Sequence, residues 1–246
     1  MKPSWEKLVA GSIALAVAVL LLSWVLHVGA PAHAAPMPAP VALPAPTGAA
    51  DLRQPGVRRA QVVFAGGCFW GVQGVFQHVK GVDSAVSGYI GGSAADASYA
   101  RVSRGTTGHA EAVQVTYDPA QVSYGQLMQV FFAVVHDPTQ RDRQGADRGS
   151  QYRSAIYADA AVQRDAARAY LAQLGRSGVF SMPLVTQVDG GKPFHAAEGY
   201  HQNYVALHPQ SLYVRINDLP RVVALRQQFP MLYREAPRLV MTLAVR

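Results

Sequence analysis

Two periodicities alternate along this chain from about residue 60 onward. Gln61 to Ala65 is a short apolar run of strand type, and Phe69, Val72, Val75, Phe76 and Val79 then recur at helical spacing. Val82 to Tyr89 reads as a second strand that breaks at Gly91-Gly92. After a loop rich in Ser, Gly and Thr, Glu111, Val113, Val115 and Tyr117 alternate with smaller or polar residues as a third strand. Ser123 is placed to cap a helix carrying Leu127, Met128, Phe131, Phe132, Val134 and Val135, which ends at His136-Asp137-Pro138. A long polar loop over residues 139–151 leads to a fourth strand at Arg153 to Tyr157, a helix from Asp159 to Leu174 that stops at Gly175, and a fifth strand at Leu184 to Val188.

The order β-α-β-β-α-β predicts an α+β fold: a ferredoxin-like split βαβ core, helices on one face of the sheet, with extra loops and C-terminal helices. The folded catalytic domain is expected over residues 61–237, with a C-terminal tail at 238–246. The N-terminal part follows another pattern. Lys2 and Lys7 precede an uncharged run from Leu8 to Leu26, and no further basic residue occurs until Arg53. Residues 1–34 are therefore expected to be an export signal, with a cleavage site near Ala32-His33-Ala34, or a membrane anchor spanning residues 8–26. Residues 35–60, rich in Pro and Ala, are expected to form a semi-extended linker. Either reading of the leader delivers the domain outside the cytoplasm, to the periplasm or cell envelope, possession of an anchor tying it to the inner membrane.

Half of the 246 residues are hydrophobic and 15% are charged, which suits one domain with a real core. The formal net charge is +7, but Arg141, Arg143, Arg148 and Arg153 share a loop with Asp137, Asp142 and Asp147. Interspersed signs of this kind describe a solvated surface and no nucleic-acid partner. The single cysteine, with no His-x₃-His element beside it, argues against a metal site. Gly66, Gly67 and Gly71 match neither dinucleotide nor phosphate-loop patterns, so no cofactor is expected.

Chemistry concentrates at Gly66-Gly67-Cys68-Phe69-Trp70-Gly71, where the first strand gives way to the first helix. A thiol at a helix start meets unpaired N–H groups and the positive end of the dipole, both of which favour thiolate. Taken alone, a lone cysteine is more readily a small core hydrophobe, and it is the neighbours of Cys68 that point to reactivity. Phe69 and Trp70 would wall an exposed thiol with aromatic surface fit for an apolar group such as a methyl, or else belong to the core. Glu111 lies among small and apolar neighbours on its strand, surroundings that raise a carboxyl pKa and suit it to donate a proton, although an outward strand glutamate fits the pattern too. Tyr99 and Tyr152 stand beside polar loops, each with a hydroxyl to donate.

The blocks around these residues resemble the peptide methionine sulfoxide reductase A family. They are Gly-Gly-Cys68-Phe69-Trp70-Gly, Gly88-Tyr89 with Gly91-Gly92, Tyr99, Gly105 to Glu111, His136 to Gln140, Asp147 to Ser154 and Ala197 to Tyr204. Several motifs in order over residues 61–205 are far more specific than any one of them. The resemblance implies reduction of the S-epimer of methionine sulfoxide, free or within oxidised proteins, in a single-cysteine, exported member of the family. It implies that Cys68 is the nucleophile, Glu111 the acid that protonates the sulfoxide oxygen, and Tyr99 and Tyr152 its hydrogen-bonding helpers. Phe69 and Trp70 would hold the sulfur-bound methyl, and Asp147 would help order the site. The resolving cysteines usual near that family's C-terminus are absent, so an external thioredoxin- or glutaredoxin-like thiol is expected to recycle a Cys68 sulfenic acid in a monomeric enzyme.

Two rivals remain open from sequence alone. A thiol hydrolase would pair Cys68 with one of His109, His136, His195 or His201. A secreted, non-catalytic binding module would leave Cys68 as core.

Overall fold

The computed structural model describes residues 42–52 and 54–241. The uncharged run at 8–26 and the remainder of the proposed leader lie outside the described residues. Among the described residues, no helix is long and apolar enough to cross a membrane.

The central elements follow the two periodicities. Strand β1 (Ala60–Gly66) leads into helix α1 (Phe69–Gln77), then β2 (Val82–Ile90), the short helix α2 (Tyr99–Val102), β3 (Ala110–Tyr117) and α3 (Tyr124–Val130). A hairpin of two very short strands, β4 (Arg143–Gln144) and β5 (Asp147–Arg148), precedes β6 (Ser154–Tyr157), α4 (Ala161–Arg176), β7 (Gln187–Asp189) and β8 (Phe194–Ala196). Helices α5 (Tyr204–Leu207) and α6 (Leu219–Gln228) follow.

Six strands form one sheet in the order β7-β6-β1-β3-β2-β8. Its middle four, β6-β1-β3-β2, are antiparallel throughout, which is the expected split βαβ arrangement. The main core lies between this sheet and the helices. Phe64 of β1 stacks on Phe76 of α1 at 4.9 Å and on Phe131 at 4.7 Å, so one buried ring ties a strand to two helical layers. Burial of each such ring is worth about 1.5–3 kcal/mol. The opposite face is made of small residues, Ala65, Ala110, Ala112 and Ala155, with Val63, Ile90 and Tyr157, and Phe194 packs against it.

Several local expectations need correction. The helix after Ser123 has the predicted cap, with reciprocal Ser123 and Gln126 bonds, but its last part, Phe131–Val135, widens into a π-helical turn. All five residues of that turn are buried, adjacent Phe131 and Phe132 among them, which a regular amphipathic helix with one inward stripe does not arrange. The polar loop at 139–151 is not structureless, because it contains the β4–β5 hairpin. Helix α4 does not stop at Gly175 but runs to Arg176; a Cβ at Gly175 would meet open space, and the left-handed residue is Gly178 at φ +72°. The fifth strand lies at Gln187–Asp189, and the three-residue edge strand β8 was not foreseen, being too short to show a period.

The linker expected over 35–60 is docked for part of its length. Leu43 packs on the core and Ala50 is buried, the Tyr170 hydroxyl donates to the Pro44 carbonyl at 2.8 Å, and Gln173 holds both Thr47 and the Ala45 carbonyl.

Candidate active site

Cys68 is the N-cap residue of α1, and the two glycines before it are what bring it there. A side chain on Gly66 would strike the Phe131 ring at 2.8 Å and meet His136 at 3.2 Å. Gly67 takes φ +92° and lies under Gln144 of the β4–β5 hairpin, where an added Cβ would come within 2.7 Å. The strand-to-helix corner is thus tight enough to seat the hairpin directly beside the thiol.

Glu111 reaches the same corner through sheet register. It stands opposite Tyr89 on the helix-covered face, and its Oε2 accepts the Phe69 backbone N–H at 3.1 Å. That N–H belongs to the first residue of α1, so the carboxyl caps the helix whose N-cap is the cysteine. Glu111 is only 2% exposed. Burial, assisted by the nearby Asp147 charge and opposed by the Phe69 N–H, pushes its pKa up to about 8. The carboxyl therefore carries a proton at neutral pH, and it faces inward where the sequence also allowed an outward-facing glutamate.

The thiol behaves differently from the sequence expectation. Burial, and then the charges of Glu111, Asp218 and Asp147, raise its pKa well above the ordinary value, while the Trp70 N–H at the helix start works the other way. Desolvation and three carboxyl groups outweigh the helix terminus. In the resting site, both the thiol and Glu111 hold their protons.

The tyrosines named from sequence converge here. Tyr99 opens α2, and Tyr152 closes a 3₁₀ turn at Ser150–Tyr152. Burial comes first in raising both phenols, followed by the Glu111 charge, with Cys68 and Asp147 also acting on each. Both side chains pack against the core cluster that contains Cys68 and lie within electrostatic reach of Cys68 and Glu111. Tyr99 is held at its backbone N–H by Glu198 Oε1 at 2.9 Å, while the Tyr89 hydroxyl donates to Oε2 of the same carboxylate at 2.8 Å.

Phe69 and Trp70 belong to an aromatic box. Phe69 is buried and lies 5.8 Å from Tyr89 and 5.0 Å from His201, ring centre to ring centre. Trp70 is stacked nearly parallel on Tyr204 at 3.7 Å, meets Tyr213 edge-on at 5.8 Å, and donates its indole N–H to His201 Nδ1 at 3.2 Å. Asp147, on β5, accepts a hydrogen bond of 2.6 Å from the Tyr213 hydroxyl. Burial raises its pKa, and the Tyr213 bond and Arg221 oppose that rise.

Sequence reasoning named all seven of these positions but not Tyr213, Asp218 or Arg221. Asp218 is fully buried, and burial lifts its carboxyl to about 7 against the pull of Arg221. In sequence it stands before Leu219-Pro220, where an Asp reads as an ordinary helix start, so only its burial among apolar neighbours could have marked it. Three of the four histidines named from sequence are bonded elsewhere, and His195 lies on β8 opposite Tyr89 with its ring 5.7 Å from that of His109. His109 is held by the Gly92 N–H and the Ser93 carbonyl, and His136 by Phe131 and Ser154, with burial bringing His136 down to about 4. His201 Nδ1 is occupied by Trp70.

A thiol beside a protonated carboxyl, within an aromatic box and next to two phenols, can attack an electrophilic atom that bears a methyl group while a basic leaving oxygen takes a proton. Over most of the described domain the chain is similar to known proteins. The family model for peptide methionine sulfoxide reductase matches residues 60–231. MsrA 2 of Mesorhizobium japonicum, a peptide methionine sulfoxide reductase, is 54% identical over 180 residues, covering 73% of this chain and 92% of its own. The corresponding MsrA of Deinococcus radiodurans is 47% identical over 176 residues, covering 72% and 85%. Among solved structures, Mxr1 of Saccharomyces cerevisiae in reduced form is similar with a TM-score of 0.56 at 30% identity, covering 65% of this chain and 91% of that one. Methionine sulfoxide reductase A of Corynebacterium diphtheriae is similar with a TM-score of 0.53 at 32% identity, covering 74% and 87%.

Proposed function

The chain belongs to the peptide methionine sulfoxide reductase A family and is a peptide-methionine (S)-S-oxide reductase, and from that premise we propose how its own residues divide the reaction. The sulfur-bound methyl enters the box of Phe69, Trp70 and Tyr204, which places the sulfoxide oxygen toward Glu111, Tyr99 and Tyr152. Cys68 attacks sulfur as thiolate. The Glu111 proton passes to the sulfoxide oxygen, which otherwise leaves as an unstabilised anion. The S–O bond breaks as hydroxide leaves, giving a Cys68–sulfonium bond. Hydroxide then attacks the Cys68 sulfur, the S–S bond breaks with its electron pair going to methionine, and Cys68 is left oxidised as a sulfenic acid. Tyr99 and Tyr152 hydrogen-bond the developing charge on oxygen, and Asp147, held by Tyr213, orders the wall facing Trp70.

With one cysteine in the chain, an internal disulfide cannot form. A first external thiol attacks the Cys68 sulfur, releases water and leaves a mixed disulfide; a second thiol frees Cys68 and carries away the disulfide. The basic residues before the uncharged run at 8–26 support repair of oxidised proteins outside the cytoplasm, with an envelope dithiol of thioredoxin or glutaredoxin type as reductant. The observation that carries the mechanistic reading is the buried, proton-bearing Glu111 bound to the first N–H of the helix that Cys68 caps. Turnover of the separated sulfoxide epimers with dithiothreitol tests it. The S-epimer should be reduced, the R-epimer should stay near background, and Cys68→Ser should be inert; equal turnover of both epimers would reject the assignment.

A further inference from the structure

Around the thiol, one charged group has been given no task. Asp218 is fully buried, and neither of its carboxyl oxygens has a hydrogen-bond partner among the described residues. Burial of an ionisable group in that state is costly, so its place calls for an explanation. It is lodged at one specific point, Gly71 in the first turn of α1. A methyl group on Gly71 would collide with Asp218 Oδ1 and come within 2.6 Å of Arg221 Nη1. The absence of a side chain at Gly71 is therefore what admits the buried carboxylate and guanidinium of the C-terminal segment onto the catalytic helix. Five residues before Asp218, through the π-helical turn Val214–Asp218, is Tyr213, whose hydroxyl holds Asp147 and whose ring meets Trp70.

We infer that Asp218 and Arg221, seated on the bare Cα of Gly71, are a positioning pair that fixes Tyr213 against Asp147 and Trp70 and sets the charge facing Cys68. The inference rests on the reductase reading above and extends it to residues outside the reacting groups. Two independent observations carry it: the steric fit at Gly71, and the continuous turn that joins the seat to the Tyr213–Asp147 bond. Electrostatics agrees with them. Cys68 from α1, Asp147 from the hairpin and His136 after the π-helical turn face this pair, with Tyr213 on its own segment; the Asp218 charge opposes thiolate formation at Cys68 and Arg221 opposes proton uptake at His136.

The test uses the full chain and exploits its single thiol. Alkylation of Cys68 by iodoacetamide is followed against pH in wild type and Asp218→Asn, beside single-turnover reduction of the S-epimer. Asn keeps the shape and removes the charge, so the alkylation midpoint should move to lower pH. Gly71→Ala should cut kcat/KM about 10- to 100-fold by unseating the pair, and adding Tyr213→Phe should cost little more, because both changes release one clamp. Unchanged alkylation midpoints, or losses from Gly71→Ala and Tyr213→Phe that multiply, would overturn the inference. A wild-type protein inactive on the S-epimer would instead reject the reductase reading, while the alkylation result would still decide the role of Asp218.

Discussion

Glu111 and Tyr213 both reach the thiol pocket, but one arrives by strand register and the other by contacts between side chains. Glu111 is placed by the β2–β3 ladder of eight pairs, opposite Tyr89, near the start of a strand that has neighbours on both sides in the sheet. Tyr213 precedes the turn at Val214–Asp218 and is held by its bond to Asp147, its edge against Trp70 and the seat at Gly71. Backbone ladders localise a group to within a fraction of an ångström, whereas a clamp of individually modest contacts can be re-tuned by single substitutions. On the proposed division of roles, the proton donor is therefore built into the rigid part of the fold, and the substrate-facing wall into the adjustable part.

That contrast is broken most severely if Glu111 proves dispensable. Glu111→Gln keeps the acceptor for the Phe69 N–H but cannot deliver a proton, and single-turnover reduction should fall about 10²- to 10⁴-fold. The pH profile carries a second signature. The thiol titrates above the carboxyl, so raising pH toward 8 should speed the wild type as thiolate accumulates. Above about 8 the gain should level off, because Glu111 then loses the proton it must donate. In Glu111→Gln that levelling should disappear and the rate should keep rising. Rates within about threefold of each other, or the same break in both profiles, would remove the carboxyl from the mechanism.

A smaller effect is expected on the contact-built wall. Tyr204→Leu removes the near-parallel stack on Trp70 at 3.7 Å, a pair of a kind worth about 0.5–1.5 kcal/mol, so KM should rise about 3- to 10-fold with kcat nearly unchanged. A fall in kcat at constant KM would place Tyr204 with the reacting groups and erase the proposed division.

The same contrast explains what was legible in the sequence. Elements with a clear period, from β1 through β3, could be read within a residue or two. Glu111 alternates with small residues on a strand where an outward carboxylate fitted equally, and only its place in the family's motif singled it out. Asp218 could not be read, because its burial is imposed by α1, a segment more than a hundred residues away. Nor could the thiol's raised pKa: the helix start is visible locally, whereas Asp147 and Asp218 join Glu111 around Cys68 only in three dimensions. The docking of residues 43–50 was hidden for a related reason. Pro and Ala predict an extended chain correctly, but not that Tyr170 and Gln173 of α4 offer it hydrogen bonds.

That docked segment provides the mildest test, remote from the chemistry. The Tyr170 hydroxyl donates to the Pro44 carbonyl at 2.8 Å while its ring stays in the core, 5.8 Å from Phe132. Tyr170→Phe removes the donor and keeps the ring, so it should lower stability by about 0.5–1.5 kcal/mol, the net worth of one such bond. For a domain of this size the melting temperature should fall by a few degrees, about 2–4 °C per kcal/mol. Proteolysis within residues 42–50 should become faster, since the segment then relies on Gln173, Gln129 and the buried Ala50. Turnover of the S-epimer should not change, because neither α4 nor the docked segment supplies any group that borders Cys68. A loss of activity equal to that of Tyr204→Leu would mean that the sheet and helix framework transmits strain to the pocket, and the separation between a rigid reacting core and an adjustable wall would have to be given up.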